Sequence, residues 1–423
     1  MFILPINMFY IKKINYQNIN IFNFFFLILI FLPKIDLISI PGFWQGIRFD
    51  DLIIALYAIA LLKYRKDIVY SDNKFFKGWF YFLFYLLISN LIALLQGLSI
   101  EFIMLLRVLE YSILLIFIYN QNLDSKYLKK IIKVFLVLNL LIVVFQKLGL
   151  IGTISSVGYQ SVSAESDARA YGLLGGSWEL AVISSLSYFI LILVTNSKKE
   201  KFLFLLITCF LLYVANSRMP IGAFIISLII IFINSLKDKI YQTYKSKFNY
   251  SIFLLILMLF ISIAISVNYY DPSIDVINKF KNYLIRFDLE GNTIFKLISD
   301  LILYNEVPGR KEFYQYDFSY WSLLYRLEHW SNLYEINLSS PVSFITGSGL
   351  NTIYTDSLLI RIILNCGIIG IIIIVIFTFQ IPVFILTYLF LTGLTLDLFV
   401  SMKIFIFTLL LIKAYRNHAN YSK

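Results

Sequence analysis

Arginine recurs beside the apolar runs of this chain. Arg48, Arg169 and Arg218 stand in connections between apolar segments, Arg107 and Arg361 lie inside such segments, and Arg326 falls in a long polar interval. An arginine in a membrane span costs roughly 2.5–3.5 kcal/mol at mid-helix, so it asks for a partner or an anionic ligand. The planar guanidinium binds two oxygens at once and keeps its charge when partly desolvated, which suits phosphate and diphosphate groups. Several converging guanidinium groups would also stabilise charge developing on a leaving pyrophosphate.

Each arginine also has a plainer role open to it. Arg107 has Glu110 three residues on and on the same helix face, the spacing of an intrahelical ion pair. Arg218 stands in Asn216-Ser-Arg-Met-Pro220, where it could snorkel to headgroups. Arg169 precedes Tyr171-Gly-Leu-Leu-Gly-Gly176, a glycine-rich helix entry that would let a ligand approach the backbone, although such glycines also serve tight packing in membranes. Proton abstraction from an acceptor hydroxyl needs a carboxylate near the arginines, and Asp356, Glu328, Glu179 and Glu165 are the candidates. Asp356 can equally be a helix N-cap. The chain has no Asp-x-Asp triplet, and Asp50-Asp51 reads as well as a helix start, so neither a metal nor any other cofactor is expected.

Trp321, Tyr325, Arg326, His329 and Trp330 recur at helical spacing. They form either an amphipathic helix lying on the membrane or a carbohydrate site, in which sugar faces stack on indole and phenol rings. His418, in the basic tail, is expected to be inert.

The elements that must position these side chains follow from composition. The chain has 423 residues, of which 60% are hydrophobic and 14% charged, with a mean hydropathy of +0.80. This exceeds what a soluble core absorbs, and the expected class is an all-α polytopic membrane protein. Continuous apolar runs argue against a β-barrel, whose strands alternate. The runs place about twelve transmembrane helices at 19–40, 49–63, 77–95, 102–120, 130–149, 171–195, 201–216, 219–235, 251–267, 357–377, 379–396 and 399–414. The expected organisation is a nine-helix membrane domain over 1–267, a large extracytoplasmic loop with amphipathic helices over 268–356, and three further helices with a cytoplasmic tail over 357–423.

Orientation follows from the basic residues. About 21 of the 36 lysines and arginines fall in alternate connections and the two ends, which makes both termini cytoplasmic under the positive-inside rule and puts the long loop outside. The net charge of +11 is therefore topological and does not point to nucleic acid. Lys12 and Lys13 before the run Ile21–Leu32 imitate a signal sequence without a small-x-small cleavage site, so this segment is expected to stay as a first span. Cys209 and Cys366 lie in apolar spans and read as buried thiols.

Several short motifs, in their order and spacing, resemble the bacterial O-antigen polymerases of the Wzy type, relatives of the O-antigen ligases. These are Leu106-Arg-Val-Leu-Glu-Tyr111, Arg169-Ala-Tyr-Gly172, Asn216-Ser-Arg218, Arg326-Leu-Glu-His-Trp330, Gly347-Ser-Gly349 to Asp356-Ser357, and Asn365-Cys-Gly-Ile-Ile-Gly370. The resemblance implies a metal-independent glycosyltransferase of the inner membrane. It would transfer a glycan from undecaprenyl pyrophosphate to a lipid-linked repeat unit of an O-antigen or capsule at the outer leaflet. It also implies that Arg169, Arg218 and Arg326 contact pyrophosphate or acceptor, that Asp356 or Glu328 assists the acceptor hydroxyl, and that Trp321, Tyr325, His329 and Trp330 contact sugar. A chain-length regulator and a flippase are the implied partners. Ligases carry a histidine followed by asparagine where this chain has Asp356-Ser357, which favours a polymerase. The alternatives are an O-antigen ligase and, from another class, a flippase for lipid-linked oligosaccharide.

Overall fold

The computed structural model describes residues 20–38, 47–63, 74–98, 100, 102–120, 123–152, 154–155, 169–242, 341–350, 357–378, 381–394, 396, 398 and 401–421. These residues are almost wholly helical. In chain order the helices are α1 (Asn20–Phe31), α2 (Phe49–Lys63), α3 (Lys74–Leu95), α4 (Phe102–Asn120), α5 (Ser125–Lys147) and α6 (Ser177–Val194). They continue with α7 (Lys198–Ala215), α8 (Arg218–Gln242), the short α9 (Pro341–Thr346), α10 (Leu358–Thr378), α11 (Val383–Gly393) and α12 (Met402–Tyr421). A hairpin of β1 (Asp36–Ile38) and β2 (Ile47–Arg48), paired antiparallel, joins α1 to α2.

The apolar runs fold as helices because a helix satisfies its own backbone hydrogen bonds, the requirement of any segment that leaves water. Among the described residues two helices, Phe76–Leu95 and Ser177–Val194, are long and apolar enough to cross a membrane. Eleven of the expected spans overlap a helix, although the first, 19–40, is helical only over Asn20–Phe31 and runs on into β1; 251–267 lies outside the described residues. The chain falls into two units, Met1–Ile231 with Asn337–Lys423, and Phe232–Ile336; of the second, only the end of α8 is described.

Within the first unit α6 is the hub. It packs on α5, α7 and α12, and its side chains are buried nearly all round, Ser184, Ser185 and Ser187 included. A helix that is apolar on every face belongs at the centre of a bundle. At the rim, α3 leaves Tyr81, Phe84, Leu91 and Leu95 exposed.

α7 runs antiparallel to α6, and α11 to α10, as the contacts at their ends establish. At one set of ends Ala170 N–H donates to Val214 O (3.2 Å) and Ser357 Oγ–H to Gly393 O (3.0 Å). At the other set Lys413 Nζ donates to Ile118 O (2.6 Å), and Arg416 Nη1 to the Tyr119 hydroxyl (2.8 Å). Local sequence fixes several of these ends. Ser197 caps α7, its hydroxyl accepting from Glu200 N–H (3.4 Å), in a Ser-x-x-Glu capping pattern. Asn216 ends α7 in the left-handed region at φ 48°.

α10 is broken at Gly367, which has φ 57° and ψ −165° inside an otherwise helical run. A Cβ there would collide with the Gly347 amide and with the Ile345 carbonyl oxygen, so the α9–α10 approach requires glycine. The break frees helical carbonyls, and neighbouring side chains take them up. Tyr85 Oη lies 2.9 Å from Thr346 O and 2.7 Å from Cys366 O, and Ser89 Oγ lies 2.7 Å from Thr346 O and 3.1 Å from Asn365 O. Ser348 bonds Leu364 O through both its amide (2.8 Å) and its hydroxyl (3.0 Å). Buried irregular backbone is tolerated where protein groups satisfy it in this way.

Candidate functional site

The glycine-rich entry to α6 is pinned from beneath by two amide side chains of α5. Gln146 Oε1 accepts N–H bonds from Tyr171 (3.1 Å) and Gly172 (2.9 Å), and Asn139 Oδ1 accepts from Leu173 (3.0 Å). The preceding residue, Ala170, bonds Val214 at the end of α7. Arg169 is thereby held beside the turn that leads through Asn216 to Arg218, the first residue of α8, and both arginines are exposed. The structure thus joins two segments that are far apart in sequence and that each carry an expected anion-binding side chain. Arg326, Glu328, Asp356, Trp321, Tyr325, His329 and Trp330 lie outside the described residues.

Other charges of this end are buried or partly buried, and paired. The Arg107 guanidinium bonds Asp51 and, at 2.9 Å, Glu110, so the pair visible in the sequence is real and has an additional partner on α2. Arg48, 1% exposed, lies 3.4 Å from Asp50 and 3.5 Å from Asp51, and its own N–H donates to Asp51 Oδ2 at 2.8 Å. Asp50 and Asp51 therefore do more than start a helix: Asp51 is the node at which two arginines meet. Such a network holds because each buried charge faces an opposite one.

A second buried group ties α1, α6 and α12 together. Lys34 pairs with Glu179, whose other oxygen accepts the Gly175 N–H at 3.0 Å, and Lys403 donates to the Leu32 carbonyl. Ser155 Oγ–H bonds Lys34 O at 3.0 Å. Glu179, one of the carboxylates near Arg169 in sequence, thus faces Lys34. Sequence reasoning passed over Lys34 and Lys403, although a lysine inside or against an apolar run is itself a signal.

Between α3, α4 and α10 lies a cavity of about 50 Å³. Arg107, Arg361 and Asn365 supply its polar wall; Trp79, Phe82 and Tyr111 are among its apolar residues. Arg361 and Asn365 are both buried, and four residues apart they share one face of α10.

At the opposite helix ends, Lys129 and Lys133 each reach the Glu200 carboxylate at 2.7 Å and hold its pKa below the usual range. Cys366 is buried and Cys209 partly so, and neither is in a disulfide. Among the described residues no group of three or more His, Cys, Asp or Glu side chains comes together as a metal site. No family model, no curated protein and no solved structure matches the chain.

Proposed function

We propose that the protein is a membrane glycosyltransferase that polymerises a polysaccharide repeat unit carried on a polyprenyl pyrophosphate. In this reading both termini face the cytoplasm and the site opens at the outer leaflet of the bacterial inner membrane. The observation that supports it most directly is the bond from Ala170 to Val214, which brings the Arg169 and Arg218 segments to one place. Two exposed guanidinium groups on pinned backbone suit the diphosphate of a donor and the charge that grows on it as the glycosidic bond breaks. Arg326 joins them from the long loop, where Asp356 or Glu328 takes the acceptor proton and Trp321, Tyr325, His329 and Trp330 hold sugar.

The buried and partly buried charges favour this reading over a flippase. Arg107, Glu110, Glu179, Arg361 and Lys403 all lie within the first three turns of their helices, at the same set of ends as Arg169. A flippase needs charges along a path through the bilayer; among the described residues these five gather at one end, and Lys129, Lys133, Glu200, Lys413 and Arg416 lie at the other.

The test is the size distribution of surface and carrier-linked glycan after deletion of the gene. Single repeat units on the lipid or the cell surface are expected. Long polymer retained on the carrier would instead make the protein a ligase, and substrate trapped on the inner leaflet would make it a flippase.

A further inference from the structure

At the end of the bundle opposite Arg169, α5 and α7 carry lysines where a helix favours acids. Lys126, Lys129, Lys130 and Lys133 stand in the first three turns of α5, and Lys198, Lys199 and Lys201 in the first turn of α7. The helix macrodipole is positive in the first turn, so helix stability does not account for Lys126, Lys198, Lys199 and Lys201. Two carboxylates, Asp124 and Glu200, stand against the seven lysines on these helix ends, which leaves a strong positive excess.

Glu200 occupies two of the lysines. Lys129 and Lys133 both reach its carboxylate at 2.7 Å, and this bridge ties the ends of α5 and α7 together. Lys126, Lys130, Lys198 and Lys199 are exposed and make no ion pair among the described residues.

The residues below the lysines identify the partner. On α5 the face that begins with Lys126 and Lys130 continues at helical spacing through Val134, Val137, Leu141 and Phe145, all exposed. On α7 the face that begins with Lys199 continues through Leu203, Leu206, Phe210 and Tyr213, again exposed. α5 and α7 pack on each other and both pack on α6, so their faces turned away from α6 form one surface. That surface changes from cationic to apolar within about 5 Å, one turn of helix. A nucleic acid would leave the apolar stripes uncovered, and hydrocarbon alone would leave the lysines unanswered. A phospholipid with an anionic headgroup answers both.

We infer that the α5–α7 face binds an anionic phospholipid, its phosphate among Lys126, Lys130, Lys198 and Lys199 and its acyl chains along the two apolar stripes. Lysine suits a headgroup that moves, because its ammonium is a point charge on a flexible stem. Under the topology proposed above, the lipid belongs to the cytoplasmic leaflet. This binding needs α5 and α7 to lie in a membrane and does not depend on glycosyl transfer at the other end.

Quenching of a reporter indole by brominated lipid tests the site in the full-length protein, reconstituted in phosphatidylcholine vesicles. Leu203→Trp puts the reporter one turn from Lys199, and Leu91→Trp puts a control on the exposed rim of α3, with the signal of the native tryptophans subtracted. At the Leu203 reporter, brominated phosphatidylglycerol is expected to associate at least about fivefold more strongly than brominated phosphatidylcholine, the factor for one lysine at a charged surface. At the control the two lipids should associate about equally. Combining Lys126→Gln, Lys130→Gln, Lys198→Gln and Lys199→Gln should bring the ratio close to one, whereas arginine at the same four positions should preserve it. All four side chains are exposed, so the melting temperature should hold in both combined variants. Without any lysine variant, raising salt from about 0.05 to 0.5 M should reduce the preference at the Leu203 reporter. A ratio near one at that reporter, a preference that survives the four glutamines or the added salt, or an equal preference at the control overturns the site. Glycan length after gene deletion has no bearing on these ratios, so the lipid site and the polymerase reading fail separately.

Discussion

Lys34 and Glu179, 145 residues apart, form an ion pair that is almost fully buried, with Lys403 as a neighbouring cation. Removing one member of a buried pair costs roughly 3–5 kcal/mol because the other is left uncompensated. Glu179→Gln is expected to cost the larger amount, since it strands two lysines, and Lys34→Met the smaller, since Lys403 remains to face the carboxylate. Melting temperatures of the two variants in detergent should fall in that order.

Asp51 serves two arginines and Asp50 makes one longer contact, at 3.4 Å to Arg48. Asp51→Ala should therefore destabilise by roughly 3 kcal/mol and Asp50→Ala by about 1 kcal/mol or less. Chemical unfolding of both variants against the parent protein reads the difference.

The break in α10 predicts a sharp dependence on one methyl group. Gly367→Ala meets the left-handed backbone, roughly 1–3 kcal/mol by itself, as well as the Gly347 amide. It should be recovered from membranes in reduced amount. Tyr85→Phe, which leaves the Thr346 and Cys366 carbonyls one donor short, should cost roughly 1–3 kcal/mol with no change in backbone fit.

Arg169 and Arg218 are exposed, so Arg169→Ala and Arg218→Ala should leave the melting temperature within about 1 °C while shortening or abolishing the surface glycan. Arg326→Ala is expected to behave in the same way. Immunoblots of glycan length beside melting curves separate this outcome from a folding defect.

At the opposite helix ends, Glu200 has its pKa lowered by Lys129 and Lys133. A carboxylate depressed in the folded state stabilises above its unfolded pKa of about 4.3, and that contribution is lost as pH falls through the lower folded value. The parent protein should thus lose more melting temperature than Glu200→Gln between pH 6 and about pH 3.

The helices were legible because apolar runs bounded by charges have few other ways to fold, and Arg107–Glu110 was legible because three residues on a helix are neighbours. The partners that cross the chain were not: Asp51 for Arg107, Lys34 for Glu179, and Val214 for Ala170 depend on which helices lie side by side, and helical period carries no information on that. The break at Gly367 was invisible too, because Asn365-Cys-Gly-Ile-Ile-Gly370 reads equally well as a packed helix with small residues. Asp356 and the aromatic run from Trp321 to Trp330 stood out in the sequence by spacing alone.

The hydrogen bond from Lys403 to Leu32 joins residues 371 positions apart, and it sits beside the Lys34–Glu179 pair on the central helix. Lys34 and Glu179 neutralise each other once α6 is made, but the Leu32 carbonyl and the face of α6 that packs on α12 stay uncovered until α12 has been synthesised. Insertion of this bundle should therefore finish late, with the early helices waiting at the translocon or in the care of a membrane chaperone. Chains truncated before Lys403 should be cleared by membrane proteases and should not accumulate as partly folded bundles.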